Sequence, residues 1–350
     1  MKLVRHPDDL GHVSNQGIAA LGNFDGFHLG HQVIVGEAGR LARAKSLPLV
    51  VVTTEPHPRS FFSPQSSSFR LTPFRDRTRL FEHFGVDILV VLTFDESLSK
   101  TSAQKFVRQI LAKKLKISHA VVGYDYRFGH KRLGDAALLA KIGGQEGMGV
   151  KIIEPISCHE EAAIDQIYSS TRVRDALREG RPRDAAGMLG HWWSISERVV
   201  EGDQRGIKLG FPTANMDIGE ALAPRRGVYA VWVCIEERDG ELLHPGVANF
   251  GSRPTFGEKK EVFEIHLLDF DEDLYGQHLR VDFVDFLRGE KTFGGVEELK
   301  AQISLDCKMA KEVLRMPQNK WSAFKAPTLD DYLSRFPDTL PKGADFCLDS

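Results

Sequence analysis

The sequence predicts an α/β protein in two parts: an N-terminal doubly wound, Rossmann-like nucleotide-handling domain, then a small antiparallel β-barrel with a C-terminal helix. Three observations predict it. Short apolar runs rich in Val and Ile alternate with helical patterns through the first half. From about Trp192 the texture changes to many strand-like stretches separated by Gly and Pro. The chain has 350 residues, more than one core usually serves.

Strand candidates of the first half are 17–21, 47–53, 87–93, 119–123 and 150–153. They read as buried parallel strands because they are apolar on both faces. Helical patterns lie between them at 32–45, 76–83, 103–115 and 134–146. In such sheets ligands bind at the carboxyl ends of the strands. In the second half, strands are expected at 193–201, 227–236, 245–249, 261–269 and 278–287, with a closing helix at 296–314. The Gly- and Pro-bearing stretch 179–190 is the expected boundary. This gives domains at 1–185 and 190–325, and leaves 326–350 as a tail of unassigned role, on the surface or loose.

Composition narrows the function classes. Lys and Arg number 46 against 48 Asp and Glu, so no basic excess points to nucleic acid. No run of about 18 apolar residues predicts a membrane span, and the N-terminus has no apolar signal core. The four cysteines are dispersed, with no Cys-x-x-Cys, which argues against a zinc site or a disulfide framework and fits a cytoplasmic setting. Nothing in the composition fixes an oligomeric state.

The most informative stretch is Gly22-Asn23-Phe24-Asp25-Gly26-Phe27-His28-Leu29-Gly30-His31. An apolar strand enters it, glycines permit a tight turn, and a helical pattern leaves it. His28 and His31, three apart, fall on one face at a helix N-terminus, where backbone N–H groups and the positive dipole end favour phosphate. Gly30 leaves the backbone open to a bulky anion. That is the equipment of nucleotidyl transfer, which needs positive donors around a phosphorus centre; two surface histidines at a helix start are the alternative. Ser169-Ser170-Thr171-Arg172-Val173-Arg174 precedes a second apolar-periodic helix. It reads either as a helix cap or as hydroxyls with Arg174 clamping phosphates.

Gly210-Phe211-Pro212-Thr213-Ala214-Asn215 reads as a turn. It is either a plain one or one that offers the Thr213 hydroxyl and the Asn215 amide to Mg²⁺, which takes few protein ligands. In 261–269, Phe263, Ile265 and Leu267 share one strand face, and Glu264 and His266 the other. Glu264 then belongs either to a solvated face or to a general base for a substrate hydroxyl. Glu55-Pro56-His57-Pro58-Arg59-Ser60-Phe61-Phe62 follows the second strand, as a pocket wall or as a rigid proline loop.

Taken together, the chain resembles the bifunctional riboflavin kinase/FMN adenylyltransferase family, the prokaryotic FAD synthetases, from about Gly17 to Leu314. The likeness rests on the 21–31 motif, Val121-Val122-Gly123-Tyr124-Asp125-Tyr126-Arg127-Phe128-Gly129, the 169–174 and 210–215 motifs, and Gly246-Val247-Ala248-Asn249-Phe250-Gly251-Ser252-Arg253-Pro254-Thr255-Phe256, in the family's order. The resemblance implies that the barrel phosphorylates riboflavin with ATP to FMN. It also implies that the N-terminal domain adenylylates FMN with ATP to FAD and pyrophosphate. Flavins and ATP would be the partners, Mg²⁺ the metal, and nucleic acid and membrane would play no part. It implies ATP-phosphate contacts for Asn23, Asp25, His28, His31, Ser170, Thr171 and Arg174. Mg²⁺ would fall to Thr213 and Asn215, the base to Glu264, and flavin contacts to Asp125, Asn249 and Arg253, with Pro58 and Phe62 on the pocket-wall reading of their loop. Tyr168, Glu197 and Phe27 depart from the residues common in the family at those places, and the tail has no counterpart in it.

Overall fold

The computed structural model describes residues 1–5, 17–63, 68–158, 166–202, 206, 209–236, 242–255 and 258–337. Much of the 326–350 tail thus lies outside the described residues. The chain forms two compact units. The first takes residues up to 67, then Phe74–Ser169, and from the described tail 326–337; the second takes Ser68–Pro73 and Ser170–Lys325.

In chain order the first unit runs β1 (Lys2–Val4), β2 (Ile18–Leu21), α1 (Leu29–Lys45), β3 (Leu49–Glu55), α2 (Pro58–Phe62), α3 (Phe74–Phe84), β4 (Ile88–Thr93) and α4 (Glu96–Ser99). It continues with α5 (Ala103–Lys105, extended by wider helical turns over Phe106–Lys114), β5 (His119–Gly123), β6 (Arg127–Phe128), β7 (Gly134–Asp135), α6 (Ala136–Gln145) and β8 (Gly149–Ile153). A short ladder of β9 (Ser157–Cys158) and β10 (Gln166–Ile167) ends it.

Six strands pair in parallel in the order β1-β4-β3-β2-β5-β8. All four residues of β2 and the first five of β3 are buried, as apolar runs covered on both faces should be. The order reverses between β2 and β5, so the turn leaving β2 stands at the topological switch point, where α/β sheets open a crevice for ligands. All five predicted strands are present. β1 adds an edge strand that three residues were too short to signal.

The second unit opens with α7 (Ser170–Arg178) and α8 (Pro182–Leu189). The chain therefore changes unit between Ser169 and Ser170, while the Gly/Pro-bearing stretch expected as a boundary is largely α8. Its punctuation marks helix ends: Pro182 sits in the first turn, and Gly190 takes the left-handed C-cap at φ 73°.

Then follow β11 (Trp193–Val200), β12 (Ala214–Met216), β13 (Gly227–Ile235), β14 (Leu243–Thr255), β15 (Glu258–Leu267), β16 (His278–Arg288) and α9 (Val296–Arg315). The strands close a barrel in the order β11-β12-β15-β14-β13-β16, and β16 pairs back to β11. Its interior holds Trp193, Tyr229, Phe250, Phe263 and Phe283, all fully buried. Burying each such ring contributes roughly 1.5–3 kcal/mol. The segment 68–73 is tied in by the Trp193 indole N–H, which donates to the Leu71 carbonyl at 2.8 Å.

After α9 and two short helical turns the chain returns to the first unit as α10 (Leu329–Arg335), which begins with a Thr328/Asp331 capping box. The described part of the tail is therefore a surface helix that packs Leu329 and Tyr332 against α1, so of the two expectations, surface or loose, the first fits this part. Leu329 and Tyr332, an i,i+3 pair, supply the apolar face that a seven-residue helix needs in order to pack.

Candidate active sites

In the first unit, the site turn between β2 and α1 is tightly wound. Phe24 and Phe27 adopt left-handed φ values of 51° and 42°, and Gly26 has φ 86°. A non-glycine residue there costs of order 1 kcal/mol. Packing offsets it: Phe24 and Phe27 are buried and meet α3 edge-on, Phe24 at 6.0 Å from Phe81, Phe27 at 5.3 Å from both Phe81 and Phe84. That explains Phe27, one of the departures noted above. A side chain at Gly22 would press on the Phe24 ring at 3.0 Å.

The turn delivers His28 as the N-cap of α1. Its Nδ1 accepts from the His31 N–H at 3.3 Å, and the two imidazoles stack with centroids 3.6 Å apart. Phe24 meets the His31 ring edge-on at 5.3 Å. Gly30 gives this stack room: a Cβ there would lie 3.2 Å from Cε1 of His28 and crowd the ring. Asp25 is buried within the turn. The Asn23 side-chain oxygen accepts from the Thr54 hydroxyl at 2.9 Å.

Arg77, fully buried on α3, was not singled out by sequence. It donates to the Asn23 carbonyl at 2.6 Å and to Glu55 at 2.8 Å, joining the loops after β2 and β3. Only an arginine in a helix pattern marked it, and nothing local links it to a turn 54 residues earlier.

Pro58 opens α2, and Phe62, 66 % exposed, stands with Phe61 and Phe94 in an aromatic cluster. Asp125, exposed, follows β5. The structure thus brings the histidine turn, Pro58–Phe62 and Asp125 to the carboxyl edge of one sheet. Ser170 and Thr171 open α7 and Arg174 lies one turn on, all in the second unit. There Arg174 Nε donates to the Phe69 carbonyl at 2.9 Å, and its guanidinium lies over the Phe69 ring.

In the second unit, strand register assembles the site. Asn215 of β12 is opposite Glu264 of β15, and Glu264 is opposite Asn249 of β14. Ala214, Met216, Phe263, Ile265, Ala248 and Phe250, their sequence neighbours, are buried in the barrel. By alternation the three half-buried polar residues form one row on the outer face, neighbours about 5 Å apart at Cβ. β12 lies at the end of the stretch whose sequence predicts a turn; its three residues are held as a strand by β11 and β15.

His266 continues the outer face, and its Nδ1 bonds the Pro212 carbonyl at 2.7 Å while Phe211 packs on its ring. It thereby fixes the turn that presents Thr213. Gly202 was also missed: a Cβ there would lie 2.2 Å from Nδ2 of Asn215. Arg253 lies in β14 opposite Lys260. Beside Thr213 a cavity of about 310 Å³ is lined by Val199, Ile265, Leu267 and Phe270, with Asp271 and Asp273 also on its wall. Among the described residues no three His, Cys, Asp or Glu side chains gather as a metal site.

Two family models match the chain: FAD synthetase over residues 11–170 and riboflavin kinase over 189–314. The chain is 38% identical over 313 residues to the bifunctional riboflavin kinase/FMN adenylyltransferase of Escherichia coli K12, covering 89% of this chain and 97% of the relative. The chain belongs to the bifunctional riboflavin kinase/FMN adenylyltransferase family. It is accordingly an enzyme of flavin nucleotide synthesis with both activities. The Haemophilus influenzae member is 35% identical over 312 residues, 89% of this chain and 98% of that protein.

A solved structure described as a macrolide-efflux protein from Streptococcus pneumoniae superposes with TM-score 0.77 at 29% identity, covering 88% of this chain and 98% of that one. Its fold matches the doubly wound sheet followed by a barrel. Its name has no echo in the two family models, and no described helix here is long and apolar enough to cross a membrane.

Proposed function

We propose that FMN adenylylation takes place at the His28–His31 turn, and riboflavin phosphorylation on the Asn215–Glu264–Asn249 row. The observation that carries this reading is the strand register of that row, within the part matched by the riboflavin kinase model. It sets the Glu264 carboxylate between two amides, and Thr213, two residues before Asn215, lines a cavity.

In the kinase reaction Glu264 takes the proton from the ribityl 5′-hydroxyl as its oxygen attacks the γ-phosphorus of ATP, and ADP leaves. Thr213 and Asn215 offer a hydroxyl and an amide oxygen, hard donors that fit Mg²⁺, which keeps phosphates and water in its remaining positions. That ion, when bound, neutralises charge on the transferring phosphate. The apolar cavity walls suit the adenine ring, and Asp271 and Asp273 accept from its amino group or the ribose hydroxyls. Asn249 and Arg253 border the flavin.

In the adenylyl transfer the FMN phosphate attacks the α-phosphorus of a second ATP, and pyrophosphate leaves. His28, His31 and the N–H groups at the start of α1 stabilise the charge that builds on the α-phosphate. Asn23 and Asp25 shape the turn. Pro58, Phe62 and Asp125 line the flavin side. Consumption of ATP by both halves supports a cytoplasmic location.

The test is to incubate the protein with riboflavin, ATP and Mg²⁺ and separate the flavins. FMN followed by FAD is expected. An absence of both products overturns the reading, and products formed equally well without a divalent ion remove the Thr213–Asn215 metal site.

A further inference from the structure

The segment 326–337 lies beyond the residues matched by the riboflavin kinase model, which ends at 314, and belongs to the first unit. There it occupies a seat shaped for it on α1. A Cβ at Gly36 would stand 2.4 Å from the Tyr332 ring, and one at Gly39 would stand 2.6 Å from Leu329. Two interior glycines weaken a helix; here they admit an i,i+3 pair from α10. Both Leu329 and Tyr332 are buried.

Polar contacts lock the seat. The Tyr332 hydroxyl donates to the buried Glu37 at 3.0 Å, where Arg40 at 3.0 Å and Lys151 at 2.5 Å also converge. Arg40 reaches on to the carbonyls of Phe336 and Pro337, Arg43 pairs with Asp330 at 2.5 Å, and His83 of α3 bonds the Ala326 carbonyl.

The seat is continuous with the adenylyl-transfer turn along two routes. One is α1 itself, whose N-cap is His28. The other is a file of aromatic rings: Tyr332 to Phe84 at 6.4 Å, Phe84 to Phe27, Phe27 to Phe81, Phe81 to Phe24, and Phe24 to His31.

We propose that residues 326–337 are a positioning clamp for adenylyl transfer: Leu329 and Tyr332, seated on Gly36 and Gly39, hold α1 so that its N-terminal imidazole pair stays stacked and aimed at phosphate. The inference rests on the assignment of that turn as the adenylyl-transfer site. Contiguity alone does not establish coupling, so the test must read the distant site.

The full chain is assayed as Tyr332→Ala, Tyr332→Phe and Gly36→Ala, with riboflavin phosphorylation in the same preparation as internal control. Gly36→Ala separates clamping from helix strength, because it makes α1 a better helix while evicting the Tyr332 ring. The expected result is a fall of about tenfold in kcat for FMN adenylylation in Tyr332→Ala and Gly36→Ala. The KM values should change little, as befits interactions made in the transition state. Tyr332→Phe, which keeps the ring, should lose about threefold, and phosphorylation should stay within twofold throughout.

Adenylylation within twofold of the parent in both Tyr332→Ala and Gly36→Ala overturns the clamp, as does a parallel loss of both activities in Tyr332→Phe. Should His28→Ala leave adenylylation intact, the site assignment fails and takes the clamp's target with it. Should His28→Ala be inactive while the clamp variants are unimpaired, only the clamp falls.

Discussion

The two candidate sites are built on opposite plans. The first is local: ten consecutive residues, the seven-residue turn between β2 and α1 and the first three of α1, carry Asn23, Asp25, His28 and His31, and their shape is enforced from behind by Phe81, Phe84 and Arg77. The second is distributed: Asn215, Asn249 and Glu264, far apart in sequence, meet only because three strands are in register. A local site depends on backbone conformation and on its packing support. A distributed one depends on the scaffold and tolerates little slippage, since a one-residue shift turns a row to the other face.

Substitutions should therefore split the two activities cleanly, and the largest effect is expected at the base. Glu264→Gln keeps the row's shape and removes the carboxylate. Riboflavin phosphorylation should fall about 10³-fold, while FMN supplied directly is still adenylylated, as flavin chromatography would report. Normal phosphorylation in that variant would erase the assigned base. Next, His28→Ala should lower FAD formation about 10²-fold and let FMN accumulate; equal loss of both products would contradict separate sites.

His266→Ala releases the Pro212 carbonyl, and phosphorylation should fall about tenfold with a raised Mg²⁺ requirement, read from a metal titration. Gly30→Ala pushes on the His28 ring, and adenylylation alone should fall several-fold.

The smallest effect sharpens the contrast in acid. Burial by itself raises the Glu37 pKa, but hydrogen bonds from Lys151 and Arg40 outweigh it and hold the carboxyl below its ordinary 4.5. Its stabilising contribution is complete above that pH and is lost as pH falls through the lowered value. Asp282 in the barrel is shifted the other way: burial raises it, against the pull of Arg280 and Trp321. Its share of stability declines as pH rises through the ordinary carboxylate range. Glu37→Gln should thus flatten the fall in thermal stability below pH 4.5, and Asp282→Asn should steepen it, both read by melting against pH.

What the sequence revealed follows the same division. The parallel strands and α1 were legible because their signals are local: Val- and Ile-rich runs, and a helical period after Gly30. The histidine turn was legible because everything in it is contiguous. Glu264 showed up through strand alternation, yet its place between Asn215 and Asn249 is a matter of register that no single segment encodes.

β12 was hidden by its three-residue length and by the turn before it. Arg77 and Gly202 were invisible, and His266 showed its strand face but not its role, because each is defined by a partner elsewhere in the chain. The junction stretch 179–190 hides a helix because Pro182 and Gly190, which read as punctuation, bracket residues 182–189 as its ends, while the two family models change over between residues 170 and 189. The tail escaped because Gly36 and Gly39, the other half of its contact, lie nearly three hundred residues upstream.

One feature of the topology bears on how this enzyme can be taken apart. The barrel's unit includes Leu71, pinned by Trp193, and the sheet's unit includes α10. A single scission anywhere between the two sets of motifs strands a piece of each in the wrong half. Splitting the chain into two independent proteins therefore requires moving residues 68–73 one way and the segment that begins at Ala326 the other. The fused arrangement is thus woven in, and limited proteolysis between the halves should yield nicked, co-eluting fragments in place of two separable proteins.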